Sequence, residues 1–556
     1  MKVLFRTAAV IGRLPWPIRL DIALALGIVT LDVAIILGNR FFFDQAVVIT
    51  GDYAASSIGA FEAASFDRVY GTPSWNGYYH PGAFLMYYQS IFEAVAKLMG
   101  HAHWHIAVAF ASHLLLVNLA VLGTVACFRQ VLPEGHEIGP AIVAVTTVFL
   151  AAKPLYLVSL WEPFIGAVIF LTFLSAATCA SFGRFRYLVI AVVLGGFCVQ
   201  IQLTFLLPVA GTLIASLVLY FASRPRSLHV VRAKEAGGLA AASIIGFWPT
   251  LADIVLFGGQ NLSYFIHYAR ATAHLPKLTI VRSIELVGEN LQVPRDALVL
   301  VTVLLLTSTT LFFATRTSSG HGYRSVHKAL KPLGRPVLLA SLGPVLAVLF
   351  YRYLANLSYA PQHASYYVYV SFSVMVATLA VFPCLLLQGR LRHICWMVAV
   401  LTLPVFTLYT LAKHDGYSHF SHGQEPGSVL VSEGFTQLRE SIETASEKGQ
   451  PQLRVVVDFA PPDKAVSLER REFPWRLAIG LSDTLRRRGI PYTFGVTNPE
   501  NNQYPLRIIT MFGSARAASA GERSTDVLFT CEGGNAIARF EGRAFVLAKC
   551  PERPEE

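Results

Sequence analysis

The chain has 556 residues, of which 54% are hydrophobic and only 14% are charged, and its formal net charge is +11. Soluble domains carry roughly 25% charged residues, so this composition excludes an ordinary soluble protein and indicates a polytopic membrane protein. The positive charge does not indicate nucleic-acid binding, because membrane proteins concentrate Lys and Arg in their cytoplasmic loops.

The first apolar segment, 18–37, follows Lys2, Arg6 and Arg13 and has Arg19 at its start. It is too long for the core of a signal peptide, so we predict an uncleaved first span with a cytoplasmic N-terminus. Asp32 lies inside this span, and we expect its carboxylate to face the helix bundle, where it is a hydrogen-bonded packing residue or a functional one.

Later apolar segments predict ten more spans, each close to the roughly 20 residues that cross a bilayer. These segments are 104–128, 138–152, 164–182, 187–203, 204–222, 237–257, 298–315, 336–355, 365–388 and 393–412. Basic residues cluster in alternate connections, as expected for the cytoplasmic loops. Residues 1–412 therefore form the predicted transmembrane domain, and an odd span number places the tail on the outer side.

The first outer loop, 39–103, is the main polar cluster between apolar segments. It holds four acids, Asp44, Asp52, Glu62 and Asp67, together with Arg68, His80 and several aromatic residues. Residues 81–99 read as an amphipathic helix that lies in the membrane interface. The long connection 257–294 is also predicted to be outside, with an interfacial segment at 264–268.

The tail, 413–556, has the pattern of a small α/β domain. Strands are predicted at 453–459, 492–496, 506–511, 526–530, 536–540 and 544–548, with a helix at 475–488. Glu541-Gly542-Arg543 between the last two strands is a hairpin signal. Cys531 and Cys550 could pair if the tail lies outside the cytoplasm, and the sequence leaves that open.

The chain lacks a P-loop, a Rossmann glycine fingerprint, HExxH, GxSxG and a Cys/His metal spacing. Nucleotide-driven work and common hydrolase chemistry therefore have no support. What remains is chemistry at the outer membrane–water boundary on a substrate with an apolar tail in the bilayer and a phosphate-linked head.

Displacing a phosphate from the anomeric carbon of a sugar requires a base for the acceptor hydroxyl and a cation or dipole for the phosphate. Asp52 fits the base. Arg68, Arg270 and His363 are candidate phosphate-binding residues. Sugar rings stack on flat aromatic side chains, and the candidates here are Trp75, Tyr78, Tyr79 and Trp161, with His80 beside them.

Each candidate also has a structural interpretation. Asp52 is a favoured helix N-cap residue, and Arg68 could pair with Asp67 or Glu62. His80 could fix the turn before Pro81. The aromatic residues could be anchors in the membrane interface.

Four motifs resemble bacterial polytopic glycosyltransferases of the GT-C class. They are Gly51-Asp52-Tyr53-Ala54, Trp75 to Gly82, Trp161-Glu162-Pro163 and Gln200-Ile201-Gln202. In the tail, Phe473 to Ala478 and Leu485 to Gly489 are similar to the outer domain of many members. The first loop lacks the adjacent Asp-Glu pair of protein mannosyltransferases.

The resemblance implies a GT-C-like fold and an inverting transfer from a polyprenyl-phosphate-linked monosaccharide to a glycan or lipid acceptor. Asp52 then acts as base, and Glu162 and Gln202 contact substrate; Gln202 also has the ordinary interpretation of a helix-packing residue. It also implies the bacterial inner membrane with a periplasmic tail, and it allows a divalent metal without requiring one.

Two other functions fit the same composition. One is a transporter or flippase of lipid-linked saccharide, which requires Asp32, Asp253 and Glu162 to line a path through the bundle. The other is a non-catalytic assembly protein whose tail binds a partner in the cell envelope.

Overall fold

The computed structural model describes residues 14–43, 49, 51–66, 68–72, 79–100, 105–132, 135–223, 233–271, 277–291, 322–353, 365–387, 389–413, 433–449, 453–457, 468–494 and 525–550. The predicted span at 298–315 and the predicted strand at 506–511 lie outside these ranges.

The chain divides into two compact units, and both are discontinuous in sequence. The membrane unit comprises Met1–Arg40, Phe110–Val255 and Arg270–Ser421. The loop–tail unit comprises Phe41–Ala109, Leu256–Ala269 and His422–Glu556. The first loop and the tail thus belong to one folded body, although more than 300 residues separate them in the chain.

Long apolar helices build the membrane unit. They are α1 (Trp16–Gly38), α4 (His105–Val131), α5 (Gly135–Ala152), α7 (Glu162–Ser181), α8 (Phe185–Ile201), α9 (Leu206–Ala222), α10 (Ala233–Phe257), α13 (Gly322–Tyr353), α14 (Ser365–Leu386) and α15 (Gly389–Lys413). Short helices α6 (Leu155–Val158) and α12 (Ile280–Asn290) connect them. Among the described helices, eight are long and apolar enough to span a bilayer, and the apolar α5 and α8 are shorter.

Helix α7 is the centre of this bundle, since 94% of its apolar window is buried, against 22–67% for the other candidate spans. It packs on α8, α9, α13 and α14. Small residues allow close helix contacts: a β-carbon on Gly196 of α8 would overlap the carbonyl of Gly246 on α10. Asp32 accepts a hydrogen bond at 3.0 Å from the Asn118 amide, as the helix-packing interpretation predicts.

The loop–tail unit contains α2 (Gly51–Ala63), α3 (Phe84–Leu98), α11 (Gln260–Ala271) and the tail elements α16 (Glu433–Glu447) and α17 (Leu468–Arg487). Helix α2 packs on both α3 and α17. On α3, Leu85, Met86 and Ala96 are buried, whereas Ile91, Val95 and Leu98 are exposed. An amphipathic helix is therefore confirmed in the region predicted to be interfacial.

The tail strands form one five-stranded sheet. They are β1 (Leu453–Val457), β2 (Tyr492–Phe494), β3 (Asp526–Glu532), β4 (Asn535–Phe540) and β5 (Arg543–Lys549), in the spatial order β2-β1-β3-β4-β5. Strand β1 is parallel to β2 and β3, and β3, β4 and β5 are antiparallel. The predicted small α/β domain is confirmed.

Local sequence explains the β4–β5 hairpin and long-range packing closes the sheet. Glu541 and Gly542 have φ values of 50° and 75°, the two left-handed positions that a tight hairpin turn requires. Cys531 and Cys550 form a disulfide between β3 and the end of β5. This resolves the pairing that the sequence left open. The other five cysteines are buried and free, as expected for small apolar side chains.

Candidate functional site

Asp52 lies in the first turn of α2 and is partly buried. Gly51 opens the helix with a φ of 59°, a left-handed conformation that glycine adopts without strain. A bend at this point lets the helix begin immediately before Asp52. The positive end of the helix dipole then lies beside the carboxylate and stabilises its negative charge.

A short β-bridge closes the turn that follows α2. Gly71 donates its N–H to the carbonyl of His80 at 3.0 Å, and His80 donates its N–H to the carbonyl of Thr72 at 2.9 Å. These two bonds use the backbone of His80, and the role of its side chain stays a prediction. Trp75 and Tyr78 lie outside the described residues.

Arg68 is buried and its guanidinium is bound within the loop. It donates to Glu62 Oε2 at 2.8 Å, to the carbonyl of Tyr70 at 2.8 Å and to the carbonyl of Gly71 at 2.7 Å. Of the two acids that the sequence offered as partners, Glu62 pairs with Arg68, and Asp67 lies outside the described residues. A phosphate at Arg68 would compete with these acceptors.

Tyr79 is held from two sides. Its backbone exchanges two hydrogen bonds with the Asn261 side chain, at 2.8 and 3.0 Å, and its ring stacks on Tyr70 with centroids 5.4 Å apart. The Arg68 guanidinium lies 5.6 Å from the Tyr79 ring centroid. Residues far apart in sequence thus fix this aromatic ring at the edge of the turn.

The tail helix α17 contributes a buried arginine to the same unit. Arg487 donates to Glu93 on α3 at 3.0 and 3.3 Å, to Asp483 at 3.0 Å and to the Ser57 hydroxyl on α2 at 2.6 Å. Burial by itself lowers the pKa of Arg487, but the carboxylates of Asp483 and Glu93 outweigh it, and the net pKa is raised. The guanidinium therefore stays charged at all physiological pH values.

A second set of candidate residues lies in the membrane unit, between α5 and α7. Trp161 precedes α7 in extended backbone, and its ring packs edge-on against Tyr366 and Phe164 at centroid distances of 5.6 and 5.9 Å. Tyr156 stacks on Tyr369 at 5.1 Å. These residues lie near the breaks between α5 and α7 and at the start of α14. Their rings form one aromatic cluster.

Lys153 joins this cluster, which sequence reasoning missed. Its ammonium lies 4.2 Å from the Tyr369 ring centroid, a cation–π distance. Burial lowers the pKa of Lys153 to about 8. A lysine directly after an apolar segment and eight residues before Trp161 was the available signal, but Lys153 alone reads as an ordinary span end.

The remaining candidates are dispersed. Glu162 is buried in the first turn of α7, and Gln202 is buried at the break between α8 and α9. The Gln202 side-chain oxygen accepts no hydrogen bond from the described residues. Arg270 is exposed near the end of α11, and His363 lies outside the described residues.

A metal site requires several ligating side chains close together. Within the described ranges, no three His, Cys, Asp or Glu side chains come together as a metal site would require. We therefore assign no residue to the divalent ion that the family resemblance allows, and no step below passes through one.

These features define the class: a polytopic α-helical membrane protein whose first loop and α/β tail fold together as a second unit. No family model and no curated protein matches the chain. Several solved structures are similar to it, among them the two that follow. ArnT from Cupriavidus metallidurans, bound to undecaprenyl phosphate, matches with a TM-score of 0.45 and 13% identity over 83% of this chain and 84% of that one. The Archaeoglobus fulgidus oligosaccharyltransferase in the apo form matches with a TM-score of 0.44 and 12% identity over 87% of this chain and 65% of that one.

Both TM-scores are below 0.5, so these likenesses carry no functional argument. The function proposed below rests on the residues of this chain.

Proposed function

We propose that the protein is an inverting membrane glycosyltransferase that transfers a monosaccharide from a polyprenyl-phosphate donor to a glycan or lipid acceptor of the cell envelope. The observation that carries this proposal is the partly buried Asp52 carboxylate. It stands at the start of a helix that buried ion pairs hold in place, in a loop between two candidate membrane spans.

The proposed reaction is a single displacement. The acceptor hydroxyl gives its proton to Asp52 as its oxygen bonds to the anomeric carbon. The bond from that carbon to the phosphate oxygen breaks on the opposite face, and polyprenyl phosphate leaves as an anion. Because the leaving group is a stable anion, the reaction depends on a base and on stabilisation of the phosphate charge more than on an acid.

The membrane unit by itself contains candidate residues for the donor phosphate. Lys153 provides a cation, and Trp161 and Tyr366 beside it provide apolar faces of the kind on which sugar rings stack. Lys153 takes this role in place of Arg68, whose donors already serve the loop. Arg270, Glu162 and Gln202 stay candidate substrate contacts, and His363, Trp75 and Tyr78 stay candidates outside the described residues.

The proposed location is the bacterial inner membrane with a periplasmic tail. The Cys531–Cys550 disulfide supports it, because disulfides persist in oxidising compartments. The alternation of basic connections supports the same orientation.

The test is an in vitro transfer assay with a panel of polyprenyl-phosphate sugars, in which release of free polyprenyl phosphate is measured. Asp52→Asn keeps the shape of the side chain and removes the base, so turnover should fall by about 10²–10⁴-fold while donor binding persists. Glu447→Gln on exposed α16 makes the same chemical change and should have no effect. A folded Asp52→Asn protein with wild-type turnover would refute the assignment.

A further inference from the structure

Arg487 of the tail helix α17 contacts α2, the helix that carries Asp52. Arg487 donates to the Ser57 hydroxyl at 2.6 Å and to the Ser57 carbonyl at 3.2 Å, and Ser57 in turn donates to Asp483 Oδ1 at 3.0 Å. A serine on α2 is thus held by a charge pair that belongs to the tail.

The same guanidinium also binds α3. Glu93 accepts from Arg487 through both of its carboxylate oxygens, at 3.0 and 3.3 Å. Arg487 and Asp483 have side-chain exposures of only 14% and 4%. Charge-assisted bonds of this geometry are directional and shielded from water, so they hold three helices in a defined arrangement.

A neighbouring ion-pair chain extends in the other direction. Arg486 lies 3.0 Å from Glu62 Oε1 near the C-terminal end of α2, and the other oxygen of Glu62 accepts from Arg68 at 2.8 Å. Arg68 then binds the carbonyls of Tyr70 and Gly71 at the base of the turn. Two consecutive arginines of α17 therefore hold α2 at its middle and near its end.

We infer that Arg487 is a positioning residue for catalysis, which acts on the reaction by holding α2, and with it Asp52, against the tail domain. The inference rests on the proposed function. Ser57 follows Asp52 by five residues, which is about 7.5 Å along a helix axis. Loss of the anchor at Ser57 therefore lets the first turn of α2 tilt, and a displacement of about 1 Å at a catalytic group can lower the rate about 100-fold.

The tail is thereby assigned a role in turnover. The residues to which donor recognition is assigned lie in the membrane unit, whereas every contact of this anchor lies in the loop–tail unit. A defect at Arg487 should consequently appear in kcat and leave the KM for the donor almost unchanged. A residue that contributed only to stability would alter neither constant in the folded fraction.

The test compares Arg487→Lys with Arg488→Lys in the full-length protein. Lysine keeps the charge, but its donors sit on one nitrogen and lack the planar fork with which the guanidinium reaches Ser57, Glu93 and Asp483 in different directions. Arg488 is the matched control, since it is the next arginine of the same segment and its side chain is 62% exposed. Steady-state kinetics and hydrogen–deuterium exchange of peptides covering α2 are measured on both.

We expect Arg487→Lys to lower kcat about 10-fold or more with donor KM within about twofold, and to increase exchange across α2. Arg488→Lys should match the wild type in both measurements. Equal kcat in the two variants, or unchanged exchange across α2, would overturn the inference. If Arg487→Lys does not fold, Glu93→Gln is judged by the same criteria.

The two proposals fail in different ways. If the wild-type protein releases no polyprenyl phosphate from any donor, the proposed function is wrong, and the exchange data alone decide whether Arg487 holds α2. If Asp52→Asn is inactive but Arg487→Lys is not impaired, the function stands and the positioning role is refuted.

Discussion

Lys153 gives the most direct prediction about pH. Its pKa is lowered by burial to about 8, whereas the ordinary lysine value is 10.5. At pH 7 about 90% of the free protein would carry the charge, and at pH 9 only about 10%, because each pH unit changes the ratio tenfold. A phosphodiester donor stays anionic throughout this range.

If Lys153 binds the donor phosphate, kcat/KM for the donor should be almost constant below pH 7 and fall about ninefold between pH 7 and pH 9. Lys153→Arg keeps its charge to higher pH, so its profile should stay flat across the same range. Lys153→Met should be low at every pH. The assay is initial-rate kinetics at limiting donor, with each variant compared at five or more pH values.

The linked effect on stability has the opposite sign. Because the folded-state pKa is below the unfolded value, the unfolded chain binds more protons between pH 8 and 10.5, and this group makes the fold more stable as pH rises through that window. A rate that falls while the protein becomes no less stable separates lost donor binding from unfolding. A flat wild-type profile, or Lys153→Met with wild-type kcat/KM, would refute the reasoning.

Two further predictions concern packing and covalent structure. Gly196→Leu should prevent the close approach of α8 to Gly246, so we expect little folded protein in detergent extracts by size-exclusion chromatography. Gly237 has open space around it, and Gly237→Leu is therefore the control. Equal yields of folded protein from the two variants would contradict this prediction. Cys531→Ser should remove the disulfide that joins two residues 19 positions apart. The free energy of unfolding of the tail, measured by urea unfolding of the full-length protein, should fall by about 3 kcal/mol. Maleimide labelling of Cys550 without reductant should occur only in the variant, and labelling of the wild type would contradict it.

The candidate site was only partly accessible from the sequence. Asp52 stood out because acids are rare between long apolar segments, and the structure places it in the first turn of α2. Arg68 was equally visible, but its buried pairing with Glu62 depends on how the loop folds. Residue type identified both as polar, and only the fold showed that Arg68 is buried in an ion pair with Glu62 while Asp52 is partly buried at the start of a helix.

Local features were predictable because their physical causes are local. An apolar run near 20 residues has few alternatives to a membrane helix, as α7 and α14 illustrate. Likewise, Glu541-Gly542 supplies the two left-handed positions of a hairpin without help from the rest of the chain. The long apolar helices and the α/β tail therefore follow from short segments of sequence, and the orientation derived from the basic residues stays a prediction.

Long-range contacts were decided only by the tertiary structure. Arg487 and Glu93 are 394 positions apart, and nothing in either segment selects the other. Lys153 and Tyr369 are likewise in contact although they are far apart in sequence. Burial then changes what these side chains do, because a charge removed from water must find a partner or change its pKa. The sequence by itself determined which segments form long apolar helices and where the acids lie along the chain, and the packing of distant segments determined which charges are paired and which are buried.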